Sequence, residues 1–180
     1  MAIWDGKGCA VNDAGTVVLG IGASITQDTE VLCSGGSDAS LTASEIGGTS
    51  TYTYAWTDGG GNSVGATASI SGLTAGTYTV VVTDGNSDVA TESFTITEPV
   101  ALSITSSITA EVNGNDGAVD IAVSGGTAPM TYDWNNNETT EDLSNVAGGT
   151  YVVTVTDANG CAEVHTAVVT STVGVEESSL

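Results

Sequence analysis

The sequence predicts an all-β chain built as two tandem antiparallel β-sandwiches, and three observations predict it. One ten-residue phrase occurs twice: AGTYTVVVTD at 75–84 returns as GGTYVVTVTD at 148–157. Within each copy apolar and hydroxyl side chains alternate, the period-2 signature of a half-buried strand. Tyr78, Val80 and Val82 share one face, and Thr77, Thr79 and Thr83 the other. Short runs of this kind are separated throughout by Gly, Asp, Asn and Ser, and no segment carries the wide apolar stripe of an amphipathic helix.

The repetition divides the chain. GGTSTYTYAW (47–56) aligns with GGTAPMTYDW (125–134), and SGGSDASLTA (34–43) with VNGNDGAVDI (112–121). Trp134 follows Trp56 by 78 residues and Tyr151 follows Tyr78 by 73, so the second copy is five residues shorter. The deletion falls where the first copy reads TDGGGNSVGATAS, a Gly-rich loop whose length changes at small entropic cost. Pro99, in TEPVAL, has no N–H to give a central ladder and marks the boundary. The expected organisation is an N-terminal strand segment at 1–23, repeat 1 at 24–99, repeat 2 at 100–171 and a tail at 172–180. Strands are expected at 24–31, 39–46, 51–57, 66–73, 77–83 and 89–97. In the second repeat they are expected at 102–110, 117–123, 130–135, 139–145, 150–156 and 162–170.

Composition narrows the function. Against 22 Asp and Glu there is a single Lys or Arg, Lys7, for a net charge of −21. No surface can be basic, which excludes nucleic-acid phosphates and anionic lipid as partners bound through a Lys/Arg patch. No run of 18 apolar residues is present, so no direct membrane insertion is expected. GTVVLGIGAS (15–24) is short and lacks a basic flank, a poor signal peptide, which suggests a mature or truncated piece. Catalytic chemistry is sparse: one His (His165, in the last strand), no Arg, and no G-x-S-x-G nucleophile elbow. The chain is expected not to be an enzyme and to require no cofactor.

SGLTAGTYTV (71–80) resembles the corner that leads into the penultimate strand of immunoglobulin-like sandwiches, where a Tyr hydroxyl anchors the bend. Leu73 and Tyr78 then form a core signature with Trp56, and Val146, Tyr151 and Trp134 repeat it. A sugar-stacking platform is the rival use of the Trp side chains. The combination GGTxxxTYxW, GTYxVxVTD and DANGC (157–161) resembles the SprB-type repeat of Bacteroidota secreted surface adhesins, itself similar to PKD-like modules. The first unit departs at Asp88, where that pattern has a Cys. The resemblance implies an extracellular or cell-surface location on a Gram-negative bacterium. Its implied partners are other copies or neighbouring repeats, and surface polysaccharide. The tail VGVEESSL (173–180) resembles the linker before a type 9 secretion sorting domain. DGKGCA (5–10) matches DANGCA (157–162), so 1–23 resembles the end of a preceding repeat. Residues 10–22 would then be an edge-seeking strand, packed in cis or donated to a neighbouring subunit to build a filament. The resulting expectation is a spacing or adhesive module, with a carbohydrate-binding module as the alternative.

Two chemical sites follow from the residues. Calcium needs six to eight oxygens, and Asp38, Asn113, Asn115 and Asp116 sit in acidic loops able to supply some of them, with Glu98, Asp84 and Asp157 as further sources. The same residue types also close turns through side chain-to-backbone bonds, and both uses stay open. The three cysteines, Cys9, Cys33 and Cys161, lack C-x-x-C spacing and so do not suggest zinc. In a head-to-tail pair of sandwiches, Cys33 in the first loop of unit one would face Cys161 in the last hairpin of unit two. A disulfide there would staple the units into a rod and leave Cys9 unpaired or intermolecular. Cys9–Cys33 is the other option, if the N-terminal segment folds back. Asn137, in NET, is a formal glycosylation acceptor that reads equally as a polar turn.

Overall fold

The computed structural model describes the backbone of residues 3–4, 9–11 and 17–172, and side chains from residue 20 to 172. Every regular element among the described residues is a β-strand, and all named strand pairs are antiparallel. The chain divides into two compact units, Met1–Glu98 and Pro99–Leu180, so the division falls at the Glu98–Pro99 bond.

Three short strands open the chain: β1 (Ile3–Trp4), β2 (Cys9–Val11) and β3 (Val17–Leu19), paired in the order β1-β2-β3. The sequence suggested one strand over 10–22. Instead β2 and β3 pair antiparallel, with Cys9 opposite Leu19 and Val11 opposite Val17. The intervening NDAGT (12–16) is rich in turn-forming residue types, which the strand reading underweighted. The side chains of Trp4, Lys7 and Cys9, and the tail at 173–180, lie outside the described residues.

The first sandwich has one sheet of β4 (Gly22–Thr29), β5 (Ala39–Ile46) and β8 (Ser69–Leu73), ordered β4-β5-β8. The facing sheet contains β6 (Thr53–Asp58), β7 (Ser63–Gly65), β9 (Gly76–Thr83) and β10 (Val89–Ile96), ordered β10-β9-β6-β7. The second unit repeats the plan. β11 (Ser103–Thr109), β12 (Gly117–Ser124) and β14 (Leu143–Val146) make one sheet. β13 (Thr131–Trp134), β15 (Gly149–Thr156) and β16 (Ala162–Val169) make the other. Among the described residues of the two sandwiches, the one strand without a counterpart is β7, which lies in the Gly-rich loop where the first copy is five residues longer. Three residues between glycines carry too little pattern to announce a strand. β7 exists because β6 has a free edge for it, with Trp56 opposite Gly65.

Alternation places the core. Along β9 the inward Tyr78, Val80 and Val82 are buried, while Thr77, Thr79 and Thr83 are not. On β15, Val153 and Val155 are fully buried and Tyr151 half-buried. Each unit closes its own apolar cluster around one tryptophan: Trp56, with Leu41, Val80, Val82 and Ile96, in the first, and Trp134, with Val119, Val153 and Val155, in the second. The bend into the corner requires a left-handed residue just before Leu73 and Val146. Gly72 supplies it in the first unit (φ 74°), and Asn145 in the second (φ 57°). Asn is the non-glycine residue that tolerates this conformation best.

Candidate functional site

The two sandwiches use the same local devices. At the corner, the Tyr78 hydroxyl donates to the Thr74 carbonyl at 3.1 Å and the Tyr151 hydroxyl to the Ala147 carbonyl at 2.9 Å. Trp56 Nε1 donates to the Thr67 carbonyl and Trp134 Nε1 to the Thr140 carbonyl, both at 2.9 Å. Trp56 is 0 % exposed and Trp134 2 %, so neither offers a stacking surface to a sugar. Leu73 and Tyr78 are buried with Trp56, whereas Val146 and Tyr151 are half-buried against the second core. Tyr78→Phe removes the bond to the Thr74 carbonyl, and a longer 3.5 Å contact with the Thr74 hydroxyl, while keeping the ring in place. The expected loss is about 0.5–1.5 kcal/mol, read as a lower urea midpoint at unchanged m-value. An unchanged midpoint would show that the corner is held by packing alone.

A second shared device was missed in the sequence. Asp84 Oδ2 accepts the Thr49 N–H at 2.8 Å, and its Oδ1 accepts the N–H groups of Asn86 and Asp88 at 2.9 Å. Asp157 repeats this: Oδ2 takes the Thr127 N–H at 2.9 Å, and Oδ1 those of Asn159 and Cys161 at 2.9 and 2.8 Å. Each carboxylate closes the hairpin between the last two strands and ties it to the GGT loop. The amides of Asn86 and Asn159 add a bond to the hydroxyls of Thr49 and Thr127. The N–H of Thr49, then those of Asp88 and Asn86, hold the Asp84 carboxyl below the usual carboxylate range. At Asp157 burial opposes ionisation, but the donors from Thr127, Cys161 and Asn159 outweigh it and the direction is again downward. The signal was legible as TD(G/A)N recurring 35 residues after GGT in one copy and 30 in the other. With Lys7 the sole Lys or Arg, backbone amides stand in for the cations these carboxylates lack.

At the opposite end the units differ. In the second, Glu111 Oε1 accepts the Asn115 N–H at 2.8 Å and Oε2 the Gly148 N–H at 2.7 Å. These two donors, with the side chain of Ser171, hold its carboxyl below the ordinary range. Its backbone pairs in parallel with Ser171. The equivalent positions in the first unit are Cys33 and Glu98. There the carboxylate comes from the other partner: Glu98 Oε2 accepts the Gly35 N–H at 2.7 Å. Moving the acid to the end of the last strand leaves the first-loop position to a cysteine. Cys33 and Cys161 are both disulfide-bonded.

Of the residues suggested for calcium, Asp116 and Asp38 accept backbone N–H bonds within their own turns. Asp116 Oδ1 accepts the N–H groups of Val112 (2.7 Å) and Asn113 (3.1 Å), which lower its carboxyl pKa. Asn115 holds a left-handed backbone (φ 57°), and Asp38 accepts the Leu32 N–H at 3.3 Å. Among the described residues no group of three or more His, Cys, Asp or Glu is placed to hold a metal ion. His165 Nε2 bonds the Ser106 hydroxyl at 2.9 Å, between β16 and β11. Asn137 is left-handed in a turn, its N–H on the Trp134 carbonyl.

These features define a class: tandem immunoglobulin-like β-sandwiches, each with a Trp-centred core and a tyrosine corner. Two stretches match the SprB repeat family, residues 25–61 and 112–139, together well under half of the chain. Both cover an equivalent strand pair, β5 and β6 in the first unit and β12 and β13 in the second, and they end at aligned positions; the first also takes in most of β4. No curated protein matches the sequence. Several solved structures are similar in fold. Down Syndrome Cell Adhesion Molecule (N-terminal eight Ig domains) is 14 % identical, with a TM-score of 0.42 over 84 % of this chain and 25 % of that one. The ectodomain of mouse nectin-like molecule 4 is 11 % identical, with a TM-score of 0.43 over 86 % and 66 %. A C-terminal fragment of intimin, in complex with the intimin-binding domain of its translocated receptor, is 14 % identical, with a TM-score of 0.44 over 82 % and 63 %. The chain thus spans less than two thirds of each of these three. Among the described residues no helix is long and apolar enough to cross a membrane.

Proposed function

We propose that the chain is a non-catalytic structural and adhesive module of a secreted bacterial surface protein, in which two SprB-type repeats space and attach. The observation that carries this reading is the pair of SprB matches on equivalent strands of two sandwiches whose polar side chains are spent on closing turns. The carbohydrate-binding alternative loses its best aromatic candidates, because Trp56 and Trp134 are core residues. Donation of residues 10–22 to a neighbouring subunit stays a proposal, with β2 and β3 paired to each other within the chain. Display of the chain on a non-adherent bacterium tests the reading. Retention under flow above that of an undecorated control supports adhesion, and equal retention leaves only a spacer.

The reading includes the pairing of Cys33 with Cys161, supported by the disulfide-bonded state of both cysteines. Peptide mapping under non-reducing conditions is expected to recover Cys33 linked to Cys161. Recovery of a Cys9–Cys33 peptide would overturn the pairing.

A further inference from the structure

We propose that the outward face of the β10-β9-β6-β7 sheet is a self-association surface, and that its occupant is the same face of a second copy of this chain. The inference goes beyond the adhesive reading and does not depend on it, since a spacer without any adhesive target would still self-associate.

Charge is the first argument. Three of the four sandwich sheets place a carboxylate on their outward face. Asp28 lies beside Thr42 on the β4-β5-β8 sheet, Asp120 is mid-strand on β12, and Asp133 is on β13. The β10-β9-β6-β7 sheet places none. β9 turns Thr77, Thr79, Val81 and Thr83 outward, and their neighbours on β10 and β6 are all Thr, Ser, Val or Ala. The acids on these strands, Asp58 and Glu92, register with Tyr78 and Val80 and so belong to the other side. For a chain of net charge −21, flat contact between two copies on any of the other three faces sets carboxylate against carboxylate, which specific interfaces avoid.

The second argument is the state of the hydroxyls. Thr77 Oγ1 and Thr95 Oγ1 bond each other at 3.0 Å, and Thr79 Oγ1 and Ser93 Oγ at 2.8 Å. A polar group that already has a partner on its own surface costs little to desolvate, so these four hydroxyls can be covered without being orphaned. The β-branched side chains then supply the contact, and twisted sheets of this kind pack face to face at about 10 Å separation with strands about 30° apart.

Size sets the strength. The four strands, roughly 4.8 Å apart and between three and eight residues long, present on the order of 400 Å² per copy, and a pair buries roughly 800 Å², below a standard specific interface and in the range of weak, transient contacts. One pair is therefore weak, and arrays of repeats or densely displayed copies gain through multivalency. Because both copies are strongly negative, screening strengthens the pairing.

Sedimentation velocity on the purified full chain, up to millimolar concentration, tests this at low salt and at 0.5 M NaCl. The expected result is a concentration-dependent dimer that is more populated at high salt. Thr91→Glu and Ala55→Glu each add a carboxylate at an exposed site flanking Val81, which a two-fold pair buries twice. Each is expected to weaken association on the order of tenfold or more, at an unchanged melting temperature. Ala122→Glu, exposed on the outward face of β12, adds the same charge elsewhere and is expected to leave the dimer intact. A wild-type chain that stays monomeric at 0.5 M NaCl overturns the proposal, as does equal weakening by all three variants. Capture on neutral polysaccharide beads that Thr91→Glu abolishes, without self-association, assigns the face to a glycan and also overturns it.

Discussion

Trp56→Ala is expected to unfold the first sandwich while leaving the second intact, giving two melting transitions in place of overlapping ones. Trp56 is 0 % exposed at the centre of its cluster, and its indole N–H closes the Thr67 carbonyl. Truncating a buried Trp costs about 3–5 kcal/mol through lost transfer energy and the cavity left behind. A domain of this size holds a stability of about 5–15 kcal/mol, and small ones lie toward the lower end. The loss is therefore a large part of the total. Trp134, 2 % exposed with its own bond to Thr140, makes the reciprocal experiment. Calorimetry with Trp fluorescence separates the transitions, since each variant retains the other unit's core Trp as its reporter. A small uniform shift in both variants would mean that the two cores are not separate.

Acid is the second large lever, and its sign follows from the carboxylates that accept backbone N–H bonds. Asp84, Glu111, Asp116 and Asp157 are all held below their ordinary range, as is Asp58 through the side chain and N–H of Asn62. A carboxylate with a depressed folded pKa binds protons first in the unfolded chain. Its contribution is thus fully present above about pH 4 and is lost as pH falls through the folded values. Self-repulsion at a net charge of −21 acts in the opposite sense and relaxes as exposed acids begin to protonate. Urea midpoints are expected to rise gently from pH 7 toward about pH 5 and to fall steeply below about pH 4. Asp84→Asn is expected to lower stability at pH 7 and to shrink the acid loss, because one step of the titration is gone. Midpoints that keep rising to pH 2 would show that repulsion, not the loop staples, controls the acid limb.

The strands were legible because their pattern is written on single residues. Thr77 to Thr83 alternates except at Val81, and β9 covers Gly76–Thr83 in the structure. The Trp and Tyr positions were legible for a similar reason, since each copy repeats them against the same neighbours. Legibility failed where the decisive partner is distant. Asp84 and Asp157 looked like loose turn acids or calcium ligands until Thr49 and Thr127, far back in the chain, arrived as their donors. The exchange of Glu98 for Glu111 at the loop end was invisible because the two positions align to different residues of the repeat. β7 and the β1-β2-β3 meander were missed because three-residue strands carry no period to detect.

By itself, then, the sequence determined two copies of one sandwich, their strand order along the chain, the faces that turn inward and the absence of a basic surface. Those properties depend on local periodicity and on counting charges, which need no partner. Only the tertiary structure decided which carboxylates become staples and which edge β7 covers. It likewise decided that the outward face of the β10-β9-β6-β7 sheet is free of charge while the others are not. Such properties depend on register between strands brought together by folding. A one-residue slip would have sent Glu92 outward in place of Thr91.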